Sequence, residues 1–336
     1  MVTRKILVLS PLPEQVVLAL LKAKASSELV MQVEVISYRG GSKKELIESA
    51  READIILGDY TFNTAIDADV LRSASRCVLI QQPSTGYQHI DVREAAVLGI
   101  PVANTAGANT VSVAEHTVML ILACLKKLIL AHKKTISGEW AQDEMANHGV
   151  FELHHKTVGI IGAGRIGVEV AKRLKPFGAN MIYYDVNHLS ADTCVDYELS
   201  FRPLDALIAE SDIITIHTPL TVETENLISE GRIARMKPGA VLINVSRGSI
   251  VDEAALAMAL KDGRLQGAAL DVFSTEPIGP ANPLLDAPNV VLTPHVAGAT
   301  NESRWRIINM SLDNIVSVLG GGVPVNIVNG VEPGSR

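Results

Sequence analysis

The sequence is poor in cysteine, and its cysteines stand apart. Cys77, Cys124 and Cys194 are odd in number and contain no CxxC unit. No disulfide framework or cysteine metal site is legible, and the set fits a reducing cytosol. Lys/Arg-rich runs are also missing, and the formal net charge is −7. That balance offers no basic footprint for nucleic acid or an anionic membrane. Long apolar runs are lacking too. The most apolar helical stretch, Val118 to Ala131, is interrupted by Lys126 and Lys127, whereas a bilayer span needs roughly 18 apolar residues or more. Ile6 to Leu9 reads as a strand, not the apolar core of a signal peptide. Short repeats and low-complexity segments are absent. A soluble protein without metal is expected.

What is present is ordinary globular material. With 336 residues, 47% hydrophobic and 20% charged, the chain is long enough for two domains with separate cores. Short apolar runs alternate with helical patterns. Lys5–Ser10, Gln32–Ser37, Asp54–Leu57 and Cys77–Gln81 read as buried strands. Among the helices, one is opened by Ser42 with Glu45 three residues on, a capping box. Another runs from Asp91 to Leu98 with Gly99 placed to end it. A second series follows: Thr157–Ile161, Asn180–Tyr184, Asp212–His217, Ala240–Asn244, Ala268–Asp271 and Val290–Leu292. One long helix, Ser112 to Lys133, and a loop, Ile136 to Lys156, lie between the two series. The alternation predicts an α/β protein of two Rossmann-like domains, each a parallel sheet flanked by helices, with a cleft between them.

Gly162-Ala-Gly164-Arg165-Ile166-Gly167 directly follows the strand TVGII and opens a helical pattern. In that place the first glycine permits a tight turn, the second lets backbone approach a pyrophosphate, and the third lets helix pack on strand. The helix N-terminus then presents free N–H groups and the positive end of its dipole to the phosphates. The next strand ends in Asp185, 18 residues past Gly167. A carboxylate there suits both ribose hydroxyls and repels a 2′-phosphate, and no arginine follows it. NAD is expected in preference to NADP.

Three further segments follow strand-like runs: Asn244-Val245-Ser246-Arg247-Gly248, Asp271 to Pro277, and Thr293-Pro-His295 to Gly298. Taken singly, Arg247 reads as a surface charge, Glu276 as a turn residue and His295 as a loop histidine. Downstream of a dinucleotide fingerprint, together they resemble the D-isomer-specific 2-hydroxyacid dehydrogenase family, over nearly the whole chain. The resemblance implies a catalytic set of Arg247, Glu276 and His295. Arg247 would bind substrate carboxylate and carbonyl, His295 would be the acid/base, and Glu276 would hold the other imidazole nitrogen. The chemistry agrees. Hydride transfer to a 2-keto acid builds negative charge on the carbonyl oxygen, which needs a cation and a proton nearby. The resemblance also implies cofactor contacts at Arg165, Ile166, Thr218, Pro219, Val245 and Ser246. Asp271 would reach the nicotinamide carboxamide, and Gly298 would complete the wall.

In the N-terminal half, Ser84-Thr85-Gly86 to Asp91 resembles the family's substrate loop, whose N–H groups receive a carboxylate. Here Ser84 stands in place of the usual first glycine, with Pro83 before it. Asn104 and Asn109 to His116 resemble the crossover between domains and the start of a dimer helix. The resemblance thus implies a discontinuous substrate domain, 1–103 plus 298–330, an NAD-binding domain, 104–297, closure on substrate, and a homodimer. Asn109 matches a substrate-contacting asparagine of formate dehydrogenases, but that branch carries Gln at the position of Glu276. Phosphoglycerate-type relatives often carry Arg at the position of Gln82. The expected substrate is therefore a small 2-keto or 2-hydroxy acid; glyoxylate, hydroxypyruvate, pyruvate and bulkier acids stay open. The alternatives are an NADH-binding regulatory protein of the corepressor type, and formate or phosphite oxidation on the same fold.

Overall fold

The computed structural model describes residues 3–26, 30, 32–147 and 149–332. These divide into two compact units, one of 1–109 with 301–336 and one of 110–300. The chain passes between units at 109/110 and 300/301, a few residues beyond the positions read from sequence.

The first unit holds five parallel strands, β1 (Arg4–Val8), β2 (Val33–Ser37), β3 (Ile55–Leu57), β4 (Leu79–Gln81) and β5 (Val102–Ala103), in the order β2-β1-β3-β4-β5. Two expected helix boundaries appear in detail. Ser42 accepts from Glu45 N while the Glu45 carboxylate takes the Ser42 N–H, the reciprocal box that opens helix Lys43–Glu52. Asp91 caps helix Val92–Val97 through Glu94 N, and Gly99 follows at φ +67°, a left-handed conformation that glycine adopts without steric cost. β5, only two residues long, was not legible in the sequence. Its outer edge is covered: Val328 N donates to Val102 O at 2.8 Å, and Asn329 bonds Val102 N and Ile100 O through its side chain. The long helix Asn301–Leu319 buries Leu312 and Ile315 against Ile6, Val8 and Leu57.

The second unit holds seven parallel strands: β6 (Thr157–Ile161), β7 (Asn180–Tyr184), β8 (Leu199–Phe201), β9 (Ile213–Ile216), β10 (Val241–Asn244), β11 (Gly267–Leu270) and β12 (Val290–Leu292). Their order is β12-β11-β10-β9-β6-β7-β8. The sequence shows six of them; β8, three residues at the sheet edge, carries too short an apolar signal. The central strands are apolar on both faces because helices cover both. Ile214, Ile216, Leu242 and Leu270 enter one core, while Ile213, Val241, Ile243 and Ala269 enter the other. Between the domains' strand series, the expected single helix is two, Thr110–Leu125 and Leu128–Ile136. Lys127 breaks it by adopting φ 48°, with its N–H returning to Cys124 O at 3.1 Å. The following loop contains a short helix, Gln142–Asn147, and His148 within it lies outside the described residues. Among the described residues no helix is long and apolar enough to cross a membrane.

Register then decides where function can sit. Ile161 pairs with Tyr184 and Ile216, Ile216 with Asn244, Asn244 with Leu270, and Leu270 with Leu292. Those six strand ends form one row, so the segments after them emerge side by side. The order reverses between β6 and β9, and open sheets of this kind bind ligands outside the carboxyl ends at such a reversal.

Candidate active site

The glycine turn lies at that reversal. Gly162 has φ +91°, and a Cβ there would lie 2.6 Å from Thr218 N, so the turn is pressed against the end of β9. A Cβ on Gly167 would meet Gly162 O at 2.2 Å, which is helix packed on strand without room for a side chain. A Cβ on Gly164 would meet nothing within 4 Å. The middle glycine therefore faces open space, at the N-terminus of helix Arg165–Leu174, where no side chain caps the first turn. A diphosphate fits this cradle: free N–H groups, a positive dipole end, and backbone that can be approached closely. Asp185, at the end of β7, accepts from Ala163 N at 2.8 Å and from Asn187 N at 2.9 Å. It fastens the turn.

The loop after β10 is braced from below by Asn244, which is fully buried. Its Oδ1 accepts from Ser246 N at 3.0 Å and its Nδ2 donates to Arg247 O at 2.9 Å. Ser246 Oγ donates to Thr218 O, joining this loop to Thr218-Pro219. Beside it His217 is pushed down to about 3 by burial, its Nε2 against Thr215 Oγ1 and its Nδ1 buried without a partner. Gly248 decides how close the next loop comes. A Cβ there would lie 1.8 Å from the carbonyl carbon of Phe273, so only glycine lets Arg247 sit beside the Glu276 segment.

That segment is held at both ends. Phe273 N donates to Glu276 Oε1 at 2.9 Å. Glu253, buried on the helix after Gly248, accepts from Ser274 N at 2.6 Å, from Ser274 Oγ at 3.0 Å and from Asn282 Nδ2 at 2.7 Å. Glu276 Oε2 then meets His295 Nδ1 at 2.7 Å. Partial burial pushes the Glu276 carboxyl up, but the bonds from His295 and Phe273 and the charges of His295 and Arg247 outweigh it, and it lies below its ordinary range. Arg247 is lowered by burial and raised by Glu276; a guanidinium stays charged under both influences.

His295 itself adopts φ 53°, where a residue with a Cβ is strained and must be held by its surroundings. Asp271 holds it. This wholly buried carboxylate accepts from Thr293 Oγ1 at 2.6 Å, Val296 N at 2.9 Å and Ala297 N at 2.8 Å, and Asp271 O accepts from His295 N at 2.8 Å. With three of about four acceptor positions taken, Asp271 anchors the His295–Gly298 turn. The bracing roles of Asn244, Gly248 and Glu253 are not legible in the sequence. Asn244 shows only as a polar residue closing an apolar strand, and Asp252-Glu253 as an ordinary helix start.

Within the first unit the substrate-like loop is a closed turn. Gln82 Nε2 donates to Ser84 Oγ at 2.7 Å, and that hydroxyl donates to Gly86 O at 2.7 Å. Asn104 Nδ2 donates to Thr85 O at 2.8 Å, and Thr85 Oγ1 donates to Asn109 Oδ1 at 3.2 Å. Ser84 O accepts from Thr105 N at 3.2 Å. The three carbonyls are thus turned into protein, while among the described residues no protein group accepts the N–H of Ser84, Thr85 or Gly86.

Residues 118–297 match the model of the D-isomer specific 2-hydroxyacid dehydrogenase NAD binding domain. A glyoxylate reductase of Thermofilum pendens is 43% identical over 86% of this chain and 85% of its own length. A D-3-phosphoglycerate dehydrogenase of Archaeoglobus fulgidus is 38% identical over 98% of this chain, which spans 60% of that protein. The crystal structure of an NAD-dependent formate dehydrogenase from Staphylococcus aureus, in complex with NAD, is 31% identical. It superposes with a TM-score of 0.77 over 94% of this chain and 96% of its own. The chain therefore belongs to the D-isomer-specific 2-hydroxyacid dehydrogenase family and is an NAD-dependent dehydrogenase of that class.

Proposed function

We propose that the chain interconverts a short 2-keto acid, glyoxylate foremost, and the matching D-2-hydroxy acid (glycolate when the acid is glyoxylate), with His295 as acid/base and Arg247 as carboxylate anchor. The observation that carries this reading is the 2.7 Å contact of Glu276 Oε2 with His295 Nδ1. It occupies one imidazole nitrogen and leaves Nε2 as the one that exchanges a proton. The glycine turn and Asp185 would hold NAD, which when bound would supply or accept the hydride. In the reducing direction His295 gives its proton to the carbonyl oxygen as negative charge develops there, and Arg247 compensates the carboxylate throughout. Glu276 stabilises the imidazolium before transfer and orients the ring after it. The N–H groups of Ser84, Thr85 and Gly86 and the amide of Asn109 are the proposed further contacts of the acid. Arg165, Ile166, Thr218, Pro219, Val245, Ser246, Asp271 and Gly298 are those of the cofactor.

Glyoxylate is put first because relatives of 37–43% identity are named glyoxylate reductases. NADH is proposed over NADPH because Asp185 would repel a 2′-phosphate. A homodimer is proposed because Leu128, Ile136 and Trp140 are 54%, 71% and 85% exposed, apolar surface that a second copy would cover. The test is the rate of NADH oxidation with glyoxylate, hydroxypyruvate, pyruvate and 2-ketobutyrate, and of NAD reduction with formate. Turnover of the keto acids is expected. Turnover of formate alone would overturn the reading.

A further inference from the structure

Helix Thr110–Leu125 brings His116 against the segment that carries His295, with its Nε2 3.7 Å from Asp271 Oδ1. His116 Nε2 lies 3.1 Å from Thr293 Oγ1, and Thr293 Oγ1 lies 2.6 Å from Asp271 Oδ1. A hydroxyl has one proton. The Asp271 carboxylate has none to give, so the Thr293 proton points to Asp271 and the Thr293 oxygen can only accept from His116. Nε2 of His116 must therefore be the protonated nitrogen. Asp271 is the same carboxylate that anchors Val296 and Ala297, and its carbonyl anchors His295 at its strained φ.

We infer that His116 is a positioning residue: an Nε2–H donor that, through Thr293 and Asp271, holds the His295 turn in its reactive geometry. Burial of His116 favours the neutral ring, with Asp271 opposing, and a neutral ring is what makes one tautomer informative. Without His116, the Asp271 carboxylate would hold the turn by its bonds from Val296 N and Ala297 N. The Thr293 hydroxyl would then be free to rotate, and Oδ1 would share its charge between one fixed and one wandering donor. His116 removes that freedom from behind.

The inference rests on His295 as acid/base, so its test has an arm independent of turnover. Nitrogen-15 NMR of the wild-type imidazoles should show His116 as the Nε2–H tautomer, with its signal moved by Thr293→Val. An Nδ1–H tautomer would overturn the relay, even if the chain reduced no keto acid at all. In kinetics, His116→Leu should lower kcat about tenfold or more, as misplacement of a reacting group does, with KM for NADH within about twofold. His116→Gln keeps an N–H donor and should recover most of the loss. The double variant His116→Leu, Thr293→Val should be no worse than Thr293→Val alone, because one chain has been cut twice. A folded His116→Leu protein with wild-type kcat, or losses that multiply in the double variant, would overturn the inference.

Discussion

Arg247 and His295 are separable by kinetics because they are asked to do different things. Removing the proposed proton donor, His295→Ala, is expected to lower kcat by roughly 10²–10⁴ with KM little changed. Arg247→Ala should raise KM as well, because in the proposed mechanism the guanidinium holds the carboxylate before and during the reaction. Steady-state kinetics on both variants checks this, and equal small effects would remove the assignment. His217 gives a residue-scale expectation about pH. Its folded value, near 3, lies far below the ordinary value near 6.5 of an exposed imidazole. Above that ordinary value both states are neutral and nothing is lost. As pH falls below it the unfolded chain takes up a proton that the folded chain refuses, so stability declines toward the folded value. Denaturant melts from pH 7.5 down to 4.5 should show this slope in the wild type and a shallower one in His217→Gln.

Loops after strands are the elements that matter, and two of them depend on glycine. Gly248→Ala places a carbon against the Phe273 carbonyl. The expected cost is about 1–3 kcal/mol of stability, with activity lost beyond that because Arg247 moves from Glu276. Gly164→Ala meets no atom and should leave stability within about 0.5 kcal/mol of wild type, as substitutions away from packed features do, while raising KM for NADH. Thermal melts with NADH titrations distinguish the two. The sequence is informative at this scale where chemistry requires a residue type. A glycine turn between strand and helix, a Ser–Glu box or a carboxylate closing a strand is each a local pattern with one cause. What it does not display is pairing at a distance. Nothing near Glu253 announces Ser274 and Asn282, and nothing near His116 announces Thr293. The break at Lys127 is similar, since lysine has no local preference for the left-handed conformation it takes. β5 and β8 are missed because two or three residues cannot show a period.

For the whole molecule, the row of six strand ends explains why residues scattered from 162 to 298 converge. The resemblance to a known family supplied their roles, and register supplies the reason they meet. Sedimentation of the purified chain should give a dimer, and Trp140→Glu should weaken it by placing charge on exposed apolar surface. A wild-type monomer at micromolar concentration would remove that proposal. Hydride transfer to the carbonyl carbon of a 2-keto acid, with His295 as the proposed proton donor, is open to isotope tracing. The chain is supplied with glyoxylate and NADH deuterated on the transferring face, and the product is examined by mass spectrometry. Glycolate carrying a single deuterium at C2 is expected from the wild type, with its rate of formation at least a hundredfold lower in His295→Ala. Unlabelled glycolate, or labelled glycolate formed equally fast by both proteins, would contradict this proposal.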